Sequence, residues 1–232
     1  MKIDSYIKQI KFIIKTKPTI GLVLGSGLGN FVKKINEPCI IDYKDIKNYP
    51  LSTVKGHDGR FIFGKIYNQA IICAQGRFHL YEGYDFETTT IPIDIFHSLG
   101  CKTVIITNAA GCMNQDWKLG SLMLITRCID FTFKNSKNPR TYFDNNILIT
   151  NKLKKIMNYL RTLYPINNGT YSWVLGPTYE TPSEIKKIKN LGGDVIGMST
   201  MPEIIKAKEY GMNVIGLSCL SNYASGISQN PL

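Results

Sequence analysis

The stretch Gln75-Gly76-Arg77-Phe78-His79-Leu80-Tyr81-Glu82-Gly83 brings a guanidinium, an imidazole, a phenol and a carboxylate together directly after the apolar run Ile71-Ile72-Cys73-Ala74. A guanidinium fixed beyond the carboxyl end of a buried strand is a two-pronged clamp for an oxyanion, so Arg77 is a candidate phosphate ligand. The competing reading has Arg77 pair with Glu82 or Glu87 and pin a loop. In Gly56-His57-Asp58-Gly59 the glycines give His57 the backbone freedom either to approach a ligand or to make an ordinary turn. Thr181-Pro182-Ser183-Glu184 and Thr200-Met201-Pro202-Glu203 both read as capping boxes that open helices. They set Glu180 and Ser199 beside positive helix ends, where a carboxylate or phosphate gains about 0.3–1 kcal/mol. Ser199 therefore suits an anion. Glu180 is expected either to stay ionised or only to extend its cap.

These groups need elements to position them, and five apolar runs end in small or polar residues. Ile20–Leu24 leads to Gly25-Ser26-Gly27-Leu28-Gly29, Ile71–Ala74 to the stretch above, and Val104–Ile106 to Thr107-Asn108-Ala109-Ala110-Gly111. Val195-Ile196 leads to Gly197-Met198-Ser199-Thr200, and Val214–Leu217 to Ser218-Cys219-Leu220-Ser221-Asn222. Short apolar runs with helical patterns between them predict an α/β fold whose sheet is largely parallel. An amphipathic cover helix is predicted over residues 4–16, and another helix has Pro92 near its start, His97 in a structural role and a stop at Gly100. Gly25–Gly29 followed by Asp42 after the next apolar run imitates a dinucleotide-binding unit, but Asn30 stands where that fingerprint needs a small residue.

With 232 residues, 44% of them hydrophobic, the chain can bury a sizeable core as one large domain, and no linker or repeat interrupts it. The net charge of +11 comes from dispersed lysines that read as a solvated surface, so neither nucleic acid nor membrane is expected as a partner. Six scattered cysteines and three histidines without metal-ligand spacing predict buried thiols and no metal site. Residues 1–17 lack the apolar run of a signal peptide or membrane span, which predicts a cytoplasmic protein.

Taken in order, Gly25-Ser26-Gly27-Leu28-Gly29, Gly56-His57-Asp58-Gly59, Gly76–Gly83, Thr107–Gly111, Gly176-Pro177-Thr178-Tyr179-Glu180-Thr181-Pro182 and Gly197–Glu203 resemble the motifs of the trimeric purine nucleoside phosphorylases. The resemblance implies a single domain over residues 1–232 with a mixed central sheet flanked by helices, and a homotrimer. It implies reversible phosphorolysis of purine (deoxy)ribonucleosides to free base and (deoxy)ribose 1-phosphate, with phosphate as co-substrate and no cofactor. Carried over motif by motif, Ser26, His57, Arg77, Ser199 and the Ala109 N–H would hold phosphate. His79, Tyr81 and Met198 would line the phosphate and ribose region, Asn108 would belong to the ribose- and base-binding set, and Tyr179 would stack near the base. Glu180 and Asn222 would read the purine edge, with His79 beside them in the catalytic set. An ionised Glu180 accepting from N1–H and an Asn222 amide facing O6 imply 6-oxopurines, inosine and guanosine.

The chain departs from the family pattern at residues 127–146, where Arg127-Cys128-Ile129-Asp130 stands and where Tyr142 or Phe143 is the nominee for an aromatic lent to a neighbouring subunit. Cys112 replaces a glycine, Leu220-Ser221-Asn222 is altered, and the family's C-terminal segment does not follow Leu232. Rival readings are a methylthioadenosine phosphorylase of the same fold, a non-catalytic nucleoside- or phosphate-binding protein, and a dinucleotide-dependent oxidoreductase.

Overall fold

A computed structural model describes residues 2–54, 58–134, 138–142 and 151–228. The fold is α/β, with mixed sheet and flanking helices, and its contacts divide into two compact units. One comprises Met1–Thr107 and Pro202–Val214, the other Asn108–Met201 and Ile215–Leu232. Among the described residues, no helix is long and apolar enough to cross a membrane.

The first unit opens with α1 (Lys2–Ile13), shorter than expected, whose Tyr6, Ile7 and Ile10 are buried while Phe12 faces solvent. Its strands are β1 (Ile20–Leu24), β2 (Asn36–Asp42), β3 (Arg60–Ile66) and β4 (Gln69–Gln75), followed by α2 (Phe86–Leu99) and the first half of β5 (Thr103–Cys112). β1 runs parallel to both β4 and β5, as a continuous apolar strand buried on two faces should. β3 is antiparallel to β4, and β2 is antiparallel to β3. The sheet is therefore mixed rather than largely parallel. Because β2 pairs with β3 and not beside β1, Asp42 is not where a dinucleotide-binding unit would put its ribose carboxylate. Leu22, Leu24, Ile35, Ile62, Ile71 and Cys73 form one core cluster. The Asp85 carboxylate accepts from Thr88 N–H and fixes the start of α2, so Pro92 lies in the helix interior rather than near its beginning.

In the second unit β5 continues through Asn108-Ala109-Ala110-Gly111 to Cys112, with alternate residues buried. It is followed by β6 (Leu122–Asp130), β7 (Arg140–Tyr142), α3 (Asn151–Leu163), β8 (Ile166–Trp173), α4 (Pro182–Asn190), β9 (Val195–Gly197), α5 (Met201–Glu209) and β10 (Asn213–Tyr223), the last two shared with the first unit. β8 is parallel to β6 and β9, while β7 and β10 are antiparallel to β6 and β9 is antiparallel to β5. Ile185 and Ile188 of α4 pack with Met113, Ile129, Phe131 and Ile196, which puts the helix's apolar face on the sheet. All six cysteines are free thiols.

Candidate active site

In the first unit the ends of three parallel strands meet. Leu24 of β1 is in register with Gln75 of β4, so Ser26 and Arg77, each two residues further on, leave adjacent strands at the same level. Gly76, at φ 120°, makes the turn out of β4 in a conformation that disfavours other residues. Its carbonyl accepts from the hydroxyl of Tyr43 at 3.2 Å. Tyr43 is wholly buried against the rings of Tyr49, Phe61 and Phe78. Burial, reinforced by the Glu203 carboxylate, drives its pKa up, so it remains a protonated donor.

Arg77 is 2% exposed. Its Nη2 donates to the Thr107 carbonyl at 2.8 Å, and its Nε lies 3.3 Å from Oε1 of Glu203, itself 2% exposed. Sequence reading missed Glu203 by placing it in a capping box. Thr200, the box's first residue, has φ 73°, in the left-handed region rather than the extended conformation of an N-cap. Thr107 also ties the neighbouring strands together: its hydroxyl donates to Val23 O at 2.9 Å and accepts from Gly25 N–H at 3.1 Å.

Glu82, considered above as a partner for Arg77, is engaged with His79. Its Oε1 lies 3.0 Å from His79 Nδ1 and accepts from the His79 backbone N–H at 2.9 Å. Its Oε2 accepts from Thr53 N–H at 2.8 Å and from the hydroxyls of Ser52 and Thr53. Burial works to raise the Glu82 pKa, but the Thr53 and His79 donors outweigh it and hold the carboxyl below its ordinary value. An ionised carboxylate only accepts, so the proton of this contact sits on Nδ1, which fixes the tautomer. The His79 ring stacks on Tyr81, centroids 4.6 Å apart. Ser26 is exposed at its strand end. His57 and Phe143 lie outside the described residues, and of Tyr142 only the backbone is described.

In the second unit, Asn108 and Ala109 lie within β5, not past its end, because alternating small residues let the ladder continue. Asn108 Nδ2 donates to Thr200 Oγ1 at 2.9 Å, while its buried Oδ1 has no hydrogen-bond partner among the described residues. Ser199 is held through its backbone by buried Tyr171, whose hydroxyl donates to Ser199 O at 3.0 Å and accepts from Ser199 N–H at 3.3 Å. Met198 packs on the unit's core cluster. Thr181 caps α4 with the expected box, its hydroxyl accepting from Glu184 N–H and Glu184 reaching back to Thr181 N–H. Glu180 precedes that cap and is half-buried. Burial raises its pKa, and the charge of Glu184 adds to this against a backbone N–H bond, so the helix end is not the dominant influence that sequence reading expected. Tyr179 is 71% exposed. Asn222 lies inside β10, its Nδ2 donating to Tyr223 O and its Oδ1 accepting from the Ser221 hydroxyl.

The family model described as the phosphorylase superfamily matches residues 19–232. Purine nucleoside phosphorylase 1 of Bacillus subtilis (strain 168) is 40% identical over 245 residues, covering 100% of this chain and 89% of that protein. The Bos taurus purine nucleoside phosphorylase is 36% identical over 219 residues, covering 86% of this chain and 75% of the relative. The crystal structure of Schistosoma mansoni purine nucleoside phosphorylase in complex with adenosine superimposes with a TM-score of 0.83 at 30% identity, over 100% of this chain and 87% of that one. With a family model over residues 19–232 and relatives matched to this extent, the chain belongs to the purine nucleoside phosphorylase family of pentosyltransferases.

Proposed function

We propose that the chain catalyses phosphate-dependent, reversible cleavage of the N-glycosidic bond of 6-oxopurine (deoxy)ribonucleosides, inosine and guanosine. In this reaction a phosphate oxygen bonds to C1′ as the C1′–N9 bond breaks. The glycosidic electron pair goes to the purine, which takes up a proton, and (deoxy)ribose 1-phosphate is the second product. The observation that carries the reading is Arg77, a buried cation at the carboxyl end of β4 whose guanidinium is oriented from two sides. Such a preorganised donor steadies an anionic nucleophile without reorganising during the reaction. Ser26, His57, Ser199 and the Ala109 N–H share the phosphate role in this proposal. His79, with its tautomer fixed, acts at the ribose side together with Tyr81, Met198 and Asn108. A buried acceptor without a partner costs about 1–3 kcal/mol, and a ligand hydroxyl at Asn108 Oδ1 would recover it. Inorganic phosphate is the co-substrate, no cofactor is involved, and the working assembly is a homotrimer.

Base choice belongs to Glu180 and Asn222, with Tyr179 stacking near the base. An ionised Glu180 accepts from N1–H of a 6-oxopurine, and the Asn222 amide donates to O6 once it exchanges its bond to Tyr223 O. Adenine presents the opposite pattern, and a site built for one pattern can reject the other by as much as about 10⁴-fold. The Schistosoma mansoni purine nucleoside phosphorylase has been crystallised with adenosine, and a Schistosoma purine nucleoside phosphorylase with hypoxanthine. A second reading, a methylthioadenosine phosphorylase, draws on the adenosine complex. The deciding measurement is release of free base from inosine, guanosine, adenosine and methylthioadenosine, each with and without phosphate. Phosphate-dependent release favouring inosine and guanosine is expected. Equal turnover of adenosine refutes the base assignment, and release that ignores phosphate refutes phosphorolysis.

A further inference from the structure

The carboxylate facing Arg77 is not accounted for by the reaction itself. Glu203 is the third residue of α5, and its side chain is as deeply buried as the guanidinium that it meets, 3% exposed in each case. Two buried charges are tolerated only when each satisfies the other, and a partner at one edge of a planar guanidinium also fixes the direction of the remaining N–H groups. The Thr107 carbonyl restrains Nη2 at 2.8 Å, and Glu203 restrains the Nε edge at 3.3 Å. The two contacts lie on different groups of the fork and leave the plane no single axis about which to turn. The Tyr43 hydroxyl, bonded to Gly76 O, holds the backbone just before Arg77.

We propose that Glu203 is a positioning residue for phosphate: it fixes the Arg77 guanidinium in its binding orientation, acting through Arg77 rather than on the substrate. A carboxylate beside an anion-binding arginine repels the anion, so its presence is a cost in affinity unless orientation gains more than charge loses. A merely structural ion pair would lower stability on removal and affect both substrates alike. A positioning carboxylate acts selectively on phosphate, and an amide of the same shape restores part of its effect by keeping a polar oxygen beside Nε.

This inference rests on Arg77 being a phosphate ligand, so the experiment includes Arg77→Ala. KM for phosphate and for inosine are measured in Glu203→Ala, Glu203→Gln, Arg77→Ala and the double variant Arg77→Ala/Glu203→Ala, with folding followed by circular dichroism. Loss of a charge-assisted contact or of its alignment corresponds to about one to two decades in binding, so Glu203→Ala is expected to raise the phosphate KM about 10- to 100-fold. The inosine KM is expected to stay within about threefold, Glu203→Gln to raise the phosphate KM only about 3- to 10-fold, and Glu203→Ala to add nothing once Arg77 is gone. An unchanged phosphate KM, an equal rise in both constants, or full additivity in the double variant overturns the positioning role. If Glu203→Ala does not fold, Glu203→Gln decides: a selective phosphate effect supports the role, and none overturns it. If Arg77→Ala itself leaves the phosphate KM unchanged, the phosphate reading of Arg77 falls, and the inference with it. If Arg77→Ala acts on phosphate and the Glu203 variants do not, the inference alone falls.

Discussion

Replacing Tyr171 by Phe removes one oxygen from a side chain with no solvent exposure and tests whether Ser199 is held for a purpose. That oxygen donates to Ser199 O at 3.0 Å and accepts from Ser199 N–H at 3.3 Å, so both backbone groups of one residue lose a partner together. Each neutral hydrogen bond contributes about 0.5–1.5 kcal/mol net, which sets the expected destabilisation near 2 kcal/mol. For a chain of this size, about 2 kcal/mol corresponds to a fall of about 4–8 °C in Tm, measurable by differential scanning calorimetry. If Ser199 contacts phosphate, the loosened backbone should raise the phosphate KM about 3- to 10-fold and alter the inosine KM by less than about twofold. Steady-state phosphorolysis with each substrate varied in turn reads both constants. A lowered Tm with an unchanged phosphate KM would refute Ser199 as a phosphate ligand. An unchanged Tm would refute the energetic weight given to the two bonds.

Gly21→Ala would bring a methyl group to 2.3 Å from Cδ2 of Phe96, an overpacking expected to cost about 1–3 kcal/mol while leaving both KM values intact; an unaltered Tm would show that α2 yields freely. Because burial raises the Glu180 pKa, its carboxylate protonates at higher pH than an ordinary one as the solution is acidified. At saturating phosphate the inosine KM should therefore rise on the acid side with a midpoint above the ordinary 4.5, and Glu180→Gln should lack that limb; the same limb in the variant would acquit Glu180. Asn222→Asp supplies an acceptor for an amino group at purine position 6 and sets a carboxylate oxygen against the Tyr223 carbonyl, so the ratio of adenosine to inosine turnover should rise as inosine activity falls. An unchanged ratio counts against Asn222 as a base reader.

Local signals were legible where chemistry and element boundaries coincide. The apolar runs at β1 and β4, the turn after Gln75 and the capping box at Thr181 all follow from neighbours in sequence, and the structure has them. The extension of β5 through Asn108-Ala109-Ala110-Gly111 was not legible, because glycine, alanine and asparagine have weak strand preference and local sequence does not show the distant pairing, such as that of Gly111 and Cys112 with β9, that carries the strand on. The inclusion of Asn222 within β10 escaped for a similar reason. The role of Glu203 was hidden by a local pattern that fitted a cap, while its actual partner, Arg77, lies far away in sequence. Likewise Tyr171 reads as an ordinary aromatic strand residue, and nothing adjacent reveals that its hydroxyl holds Ser199.

The first unit is discontinuous: Met1–Thr107 is completed by Pro202–Val214, and the latter segment delivers Glu203 to Arg77. During synthesis the arginine leaves the ribosome long before its counterion. Contacts of such high sequence separation form late, after a large loop-closure entropy has been met. Until then the guanidinium must stay hydrated, which keeps the end of β4 open to water while the rest of that sheet can already pair. The order of synthesis thus makes the Arg77–Glu203 pair one of the last features of its unit to close, and a growing chain acquires its sheet before it can acquire a dry, oriented Arg77.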